Sequence, residues 1–263
     1  MGEQMRKGTT QSKIIIKFHP SYYLMALGFI LTGYYLNLII FTVLILVHEC
    51  GHIIAAKLCK IKVKQTIIYP YGGKTILEDY INRDIHQELF VASFGVITQF
   101  FFYLLICFLH QKYFIRSYTM NLFTQYNSQI IFFNLMFIYP LDGGKILNMI
   151  FCMFFPYQLA NSLTVFISLI NLFLLIIIHI YEYNYSNLMI VLILFYYLLT
   201  FYRKRKYLYQ KFLLERYLYS INFIKKKKIS NIKKMYRNRT HLIKKNKTYH
   251  QESEILEEYF KKN

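Results

Sequence analysis

The sequence is poor in charged residues and in cysteine, and each shortage excludes a class of protein. Only 17% of the 263 residues are charged, whereas 56% are hydrophobic. An ordinary soluble domain is about 25% charged, so this composition argues against a plain globular protein. The four cysteines are widely spaced and form no CxxC pair, which argues against a disulfide framework or a thiolate zinc site.

The apolar residues lie in blocks, and several blocks reach the roughly 20 residues that cross a bilayer. The blocks predict an all-α polytopic membrane protein with about six spans. We place these spans at 20–35, 36–58, 88–110, 128–155, 157–181 and 187–202. The predicted domains are an N-terminal segment (1–19), a transmembrane domain (20–202) and a C-terminal segment (203–263).

The distribution of Lys and Arg predicts the orientation in the bilayer, because cytosolic connections collect positive charge. The N-terminal segment has 4 basic residues, the connection from Lys57 to His86 has 6, and the segment from Arg203 onward has 19. The two alternate connections have 2 and none. Both termini are therefore predicted to be cytosolic, as an even number of spans requires.

A match to HExxH lies within the second predicted span. On a helix, His48 and His52 emerge four residues apart on one face and can bind one Zn²⁺ ion, with Glu49 beside them as general base. Such three-residue matches also arise by chance on helix surfaces. Ionisable residues at membrane depth have a high free-energy cost and usually mark a functional site. Their presence here favours the catalytic interpretation.

The fourth predicted span contains Pro140-Leu-Asp-Gly-Gly, which must interrupt a helix. Non-helical backbone at this depth is tolerated only where protein or a water-filled cavity satisfies it. Asp142 is the candidate for the third zinc ligand, and the alternative is a helix-capping aspartate in a turn. Three further histidines compete less well, because two lie at predicted span ends and one in a loop: His110, His179 and His86.

Two further features are candidates for contacts with a substrate. Asn134, eight residues before Asp142, either stabilises an oxyanion or bridges two helices. The stretch from Tyr69 to Leu77, with Gly72 and Gly73, predicts a turn between short strands, either a solvent loop or a re-entrant hairpin. An extended substrate can pair with such a hairpin through main-chain hydrogen bonds.

The pairing of His48-Glu-Cys-Gly-His52 with Leu141-Asp-Gly143 resembles the site-2 protease family of intramembrane zinc metalloproteases. The stretch from Asn134 to Lys145 is most similar to the family's sporulation branch, which processes a sigma-factor precursor. The family often has Gly-Pro-x-x-Asn where this chain has Gly95-Val-Ile-Thr-Gln99, and proline in place of Phe137. We expect these departures to affect helix geometry and substrate fit, not metal binding.

The resemblance also implies a C-terminal cystathionine-beta-synthase (CBS) domain associated with nucleotide sensing, and control by membrane partner proteins. The segment from Lys206 is too short for a paired module. We expect a partly folded basic tail near anionic lipid headgroups, with a reduced single CBS-like unit as the alternative. No nucleic-acid fold accompanies the lysine runs, so no specific nucleic acid is expected.

Together these features predict an intramembrane zinc endopeptidase that cuts a membrane-associated protein near the cytosolic face. The chief alternative is a transporter or channel in which the same buried His, Glu and Asp residues form an ion or proton path. Transporters often contain internal repeats or paired broken helices, and this sequence has one clear break and no repeat.

Overall fold

The computed structural model describes residues 15–78, 80–181, 188–221, 223–245 and 248–262. Helices form most of this part of the chain. They are α1 (Pro20–Leu31), α2 (Tyr35–Leu58), α3 (Ile85–Gln111), α4 (Ser117–Leu135), α5 (Asp142–Phe154), α6 (Tyr157–Tyr181), α7 (Leu188–Tyr219) and α8 (Glu252–Lys262). The strands are β1 (Ile16–Phe18), β2 (Val63–Tyr69), β3 (Gly72–Leu77), β4 (Lys226–Ile229), β5 (Thr240–Lys245) and β6 (Thr248–Gln251). The protein is therefore mainly helical, as predicted, and the turn between short strands predicted from Tyr69 to Leu77 is present as the hairpin of β2 and β3. The second sheet was not expected.

Within the described residues, three helical segments are long and apolar enough to cross a membrane: α2, α3 and the Tyr157–Ile178 part of α6. Shorter α1, with 12 residues, is also apolar and begins with Pro20, which is favourable at the first position of a helix. The start of the last expected span, residue 187, lies outside the described residues. The count of six spans stays a prediction.

The expected fourth span, 128–155, is two helices separated by residues 136–141. The predicted interruption near Pro140 is therefore present. Gly143 and Gly144 do not lie in the break, however, but in the first turn of α5. A Cβ on Gly143 would approach the Leu135 carbonyl oxygen to 2.2 Å, so glycine permits α5 to start against the end of α4.

The chain divides into two compact units, of which the first comprises residues 1–78 and 94–131. The core of this unit is apolar and draws on α2, β2 and α4. Leu44, Ile45 and Ile68 are almost completely buried there, together with Phe123. This core packs β2 against the part of α2 that directly precedes the HExxH residues.

The first sheet has the order β1-β2-β3. Strands β2 and β3 form an antiparallel hairpin in which Tyr69 pairs with Gly72, leaving Pro70 and Tyr71 as the loop. Gly72 has φ +143°, a conformation that favours glycine. Strand β1 pairs in parallel with β2, a contact that the sequence did not predict because β1 has only three residues.

The second unit comprises residues 79–93 and 132–263. Its C-terminal part is folded, which corrects the expectation of a partly folded tail. The second sheet, of order β4-β5-β6, pairs β4 with β5 in parallel and β5 with β6 antiparallel. Phe212 and Leu213 of α7 pack in one core with Ile243 of β5 and Leu256 of α8.

Buried charges explain how so basic a segment folds. All five N–H groups of Arg216 donate hydrogen bonds, to Glu252, to the side chain of Asn82 and to the carbonyl oxygens of residues 236, 237 and 239. Glu215 accepts from the backbone N–H groups of Ile81 and Asn82. Burial of these two charges is tolerated because each is paired or hydrogen-bonded within the second unit.

Candidate metal centre

The HExxH residues lie together on α2, as the spacing predicts. His48, Glu49 and His52 are 3%, 4% and 5% exposed, and their potential ligand atoms all lie within 4.8 Å of one another. The two Nε2 atoms of His48 and His52 are 3.1 Å apart. Two ligands of one tetrahedral zinc ion, each at about 2.0–2.1 Å, span roughly 3.3 Å, so this imidazole pair fits a single metal ion.

Glu49 is held by the hairpin of the first sheet. The Thr75 hydroxyl donates to Glu49 Oε2 at 2.6 Å, and Thr75 Oγ1 lies 3.0 Å from Thr66 Oγ1 on the facing strand. Because the single Thr75 proton is given to the carboxylate, Thr66 must be the donor in the threonine pair. The carboxylate is thus oriented by β3 and not by its own helix alone.

Glycines form the walls next to these side chains. A Cβ on Gly73 would lie 2.3 Å from Glu49 Cγ, and a Cβ on Gly95 would lie 2.5 Å from His52 Nε2. A Cβ on Gly51 would meet the Phe94 carbonyl oxygen at 2.7 Å. Backbone of β3 and α3 therefore approaches the HExxH turn more closely than any side chain permits.

A buried amide on α3 contacts the first histidine. Gln99 is completely buried, and its Oε1 lies 3.1 Å from His48 Nδ1. Its Nε2 donates to Asn127 Oδ1 on α4 at 3.1 Å and, at 3.4 Å, to the Asn127 carbonyl oxygen. Sequence reasoning missed this contact, although it singled out the segment from Gly95 to Gln99.

Asp142 belongs to the second unit and is the first residue of α5, 4% exposed. Its Oδ1 accepts a hydrogen bond from Lys145 Nζ at 2.8 Å. Leu141, not Asp142, occupies the N-cap position, so the aspartate does not act as the cap of this helix. The third-ligand role of Asp142 stays a prediction, and the Lys145 contact was not foreseen.

The other candidate residues from the sequence are Asn134 and three histidines outside the HExxH motif. Asn134 lies in the last turn of α4 and is half-buried, and its assigned roles stay predictions. The exposed His86 lies in the first turn of α3, and its backbone N–H donates to Asp84 Oδ1. His110 Nδ1 lies 2.8 Å from the carbonyl oxygen of Ile115 in the following turn. The His179 side chain lies outside the described part of the structure.

Comparison with known proteins agrees with this arrangement. The sequence profile of peptidase family M50 matches residues 36–116, which include the HExxH turn and Gln99. The chain is 32% identical over 204 residues to stage IV sporulation protein FB of Bacillus subtilis strain 168, covering 77% of this chain and 71% of that protein. The site-2 protease from Methanocaldococcus jannaschii has a similar fold, with a TM-score of 0.58 and 19% identity over 72% of this chain and 92% of that one.

The chain therefore belongs to peptidase family M50, the site-2 protease family. It is an integral membrane protein and an intramembrane metalloprotease, and the family's metal dependence agrees with the cluster of His48, Glu49 and His52. The resemblance stated from the sequence is confirmed. The alternative of a transporter or ion path is not favoured by these similarities.

Proposed function

We propose that this metalloprotease is a zinc-dependent endopeptidase that cuts a membrane-associated protein near the cytosolic face. The observation that carries the proposal is the 3.1 Å approach of the His48 and His52 Nε2 atoms beside the buried carboxylate of Glu49. Imidazole nitrogens in this arrangement suit zinc. Asp142 is proposed as the third protein ligand, which would complete a set of two imidazoles and one carboxylate.

A zinc ion bound there would polarise the scissile carbonyl and make water nucleophilic near neutral pH. The protein's own chemistry centres on Glu49. Its carboxylate takes a proton from the attacking water and then gives that proton to the leaving amide nitrogen. The Thr75 hydroxyl keeps Oε2 in place during both transfers.

Asn134 is proposed to donate a hydrogen bond to the scissile carbonyl oxygen as negative charge develops on it. A bridge between two helices remains the alternative role for this amide. An Asn134→Asp variant should lose turnover while it keeps its substrate KM, because the stabilised charge exists only in the transition state. An unchanged kcat would leave the helix bridge as the better explanation.

The β2–β3 hairpin is proposed as the element that presents the substrate backbone. Strand β2 occupies the middle of the described sheet, and β3 is an edge strand. An extended substrate that pairs with β3 at Gly72 and Gly73 would lie next to Glu49, since a Cβ on Gly73 would meet that carboxylate.

Six spans with both termini cytosolic are proposed from the Lys and Arg distribution. This topology places the basic C-terminal unit next to cytosolic lipid headgroups. Cysteine-accessibility labelling from each side of inverted vesicles tests it. A cysteine introduced by His250→Cys that is labelled only from the lumenal side of the vesicles would contradict this topology.

The similarity to a stage IV sporulation protein supports a substrate that acts in sporulation, and we propose a sigma-factor precursor. Membrane regulatory proteins are proposed partners on the same basis.

A nucleotide is proposed for the C-terminal unit, where Arg216, Phe223 and Lys226 border a cavity of about 460 Å³. Titration of ATP into the purified full-length protein tests this last point, and no heat or fluorescence change at millimolar ATP would remove it.

Co-expression with the candidate precursor tests the protease function directly. Wild type should cleave, whereas Glu49→Gln should bind metal and fail to cleave. Equal cleavage by the two proteins would remove the assigned mechanism. Metal analysis of His48→Ala, His52→Ala and Asp142→Ala tests the ligand set, with Glu257→Ala as the control because that exposed carboxylate lies on α8 and accepts only from Lys261 among the contacts described.

A further inference from the structure

We propose that Gln99 and Asn127 are positioning residues that fix the orientation and tautomer of His48 for metal binding. This inference rests on the proposed ligand role of His48. It assigns a function to two buried amides that the proposed mechanism does not use. The contacts that carry it lie wholly within the first unit and involve α2, α3 and α4.

The backbone of α4 sets the direction of this hydrogen-bond chain. The Asn127 carbonyl oxygen can only accept, so the Gln99 group that faces it must be the NH₂. Gln99 Oε1 therefore faces His48 Nδ1, at 3.1 Å. Because an amide oxygen can only accept, His48 must carry its proton on Nδ1.

The proton on Nδ1 leaves the other ring nitrogen of His48, Nε2, available to bind a metal ion. A neutral imidazole with its proton on Nδ1 keeps the lone pair on Nε2, the atom that lies 3.1 Å from His52 Nε2. Histidines that bind metals usually donate their second N–H to such an acceptor, which fixes the ring and strengthens the ligand. Gln99 gives His48 that acceptor.

Burial protects the hydrogen bonds of Gln99 and Asn127 from competition by water. Gln99 is 0% and Asn127 4% exposed, so water does not readily replace either partner. Gly95 lies one helical turn before Gln99 on the same face of α3 and leaves room for both imidazoles. One face of α3 thus provides the space for the rings through Gly95 and the orientation of His48 through Gln99.

Metal binding by the purified full-length protein tests the proposal without reference to proteolysis. Zn²⁺ affinity is measured by competition with a chromophoric chelator, and Co²⁺ binding by its visible absorption spectrum. Gln99→Met preserves size but removes the acceptor, and we expect a 10- to 100-fold loss of Zn²⁺ affinity with an altered Co²⁺ spectrum. Gln99→Glu, which in its protonated form can donate to Asn127 and accept from Nδ1, should remain within about threefold of wild type.

Two further variants keep the interpretation unambiguous. Gln99→Asn stays polar but withdraws the oxygen from Nδ1, and it should lose affinity as Gln99→Met does. Asn171→Leu is the matched control, because its amide donates only to its own helix at Ile167 among the contacts described, and it should bind metal normally. Wild-type affinity and spectrum in both Gln99→Met and Gln99→Asn would overturn the proposal.

The outcome also separates this inference from the proposed function. If His48→Ala abolishes metal binding while the Gln99 variants bind normally, His48 is a ligand that needs no positioning by Gln99. If His48→Ala itself binds metal normally, the ligand assignment is wrong and the positioning role falls with it. A parallel loss in His48→Ala and Gln99→Met, with recovery in Gln99→Glu, supports both.

Discussion

The Thr75 hydroxyl donates a 2.6 Å hydrogen bond to Oε2 of Glu49. The two residues are separated by 26 positions and belong to a strand and a helix, so the proposed general base is oriented by the hairpin. If the hairpin also presents the substrate, one element of structure aligns both reacting partners. The catalytic geometry would then depend on the hairpin as closely as on the HExxH helix.

Replacement of this hydroxyl should lower turnover. Thr75→Val keeps the shape of the side chain but loses a hydrogen bond to a charged group, which is worth about 1.5–3 kcal/mol. We expect kcat to fall roughly 10- to 100-fold, with KM and metal content unchanged. Thr75→Ser should restore most of the activity, and equal kcat values for the Val and Ser variants would contradict the positioning role.

The two hairpin glycines should respond differently to alanine. A Cβ on Gly73 would displace Glu49, whereas a Cβ on Gly72 meets nothing within 4 Å and is disfavoured only by φ +143°. Gly73→Ala should therefore lower kcat at least tenfold while metal content is retained. Gly72→Ala should mainly destabilise the hairpin, by about 1–3 kcal/mol. Kinetic and proteolysis measurements on both variants check this order, which fails if Gly73→Ala is the more active.

Gly95 should be required for metal binding. Its Cβ would lie 2.5 Å from His52 Nε2 and 3.0 Å from His48 Cε1, so Gly95→Ala must move one or both rings. We expect at least a tenfold loss of Zn²⁺ affinity, measured by chelator competition. Gly28→Ala in α1 is the control, because nothing lies within 4 Å of its Cβ position. Normal affinity in Gly95→Ala would show that the rings have room to move.

Acid should destabilise the C-terminal unit. Burial lowers the pKa of His241 below its ordinary value of 6.5, although Glu252 Oε2 lies 2.8 Å from Nδ1. The pKa of Glu252 is also lowered: burial opposes its charge, but hydrogen bonds from His241 and Arg216 outweigh burial. Both folded-state values are depressed, so the stability that these groups contribute is present at neutral pH and is lost as pH falls, first below about 6.5 through His241.

Limited proteolysis of the full-length protein at pH 7.5, 6.5 and 5.5 measures this effect. Wild type should be cut faster within residues 223–262 as the pH falls. His241→Gln removes the titrating group and should give a flatter response over this range. An equally steep pH dependence in that variant would assign the effect to other groups.

The sequence predicted the part of the site that depends on local spacing. Residues four apart on a helix share a face whatever surrounds them, so His48 and His52 were paired correctly. Thr75 and Gln99 were missed because they reach the site from 26 and 51 residues away along the chain. A threonine in a strand or a glutamine in a span has no local pattern that predicts its partner.

The fold was predictable to a similar extent. Long apolar blocks predicted α2, α3 and α6, whereas a three-residue strand such as β1 is too short for a pattern and is defined by its pairing with β2. The C-terminal segment was misjudged because arginine is normally solvated. Arg216 is instead 3% exposed, since its five N–H groups all find acceptors that are not evident from composition.

Around the HExxH turn, the closest walls at Gly73 and Gly95 consist of main chain. A side chain can change rotamer to make room for an inhibitor, but main chain within a strand or helix can move only if the whole element shifts. A chelating inhibitor would therefore gain little selectivity from bulk aimed at those two walls. Its distinguishing substituents would be better directed outward, along the edge of the hairpin.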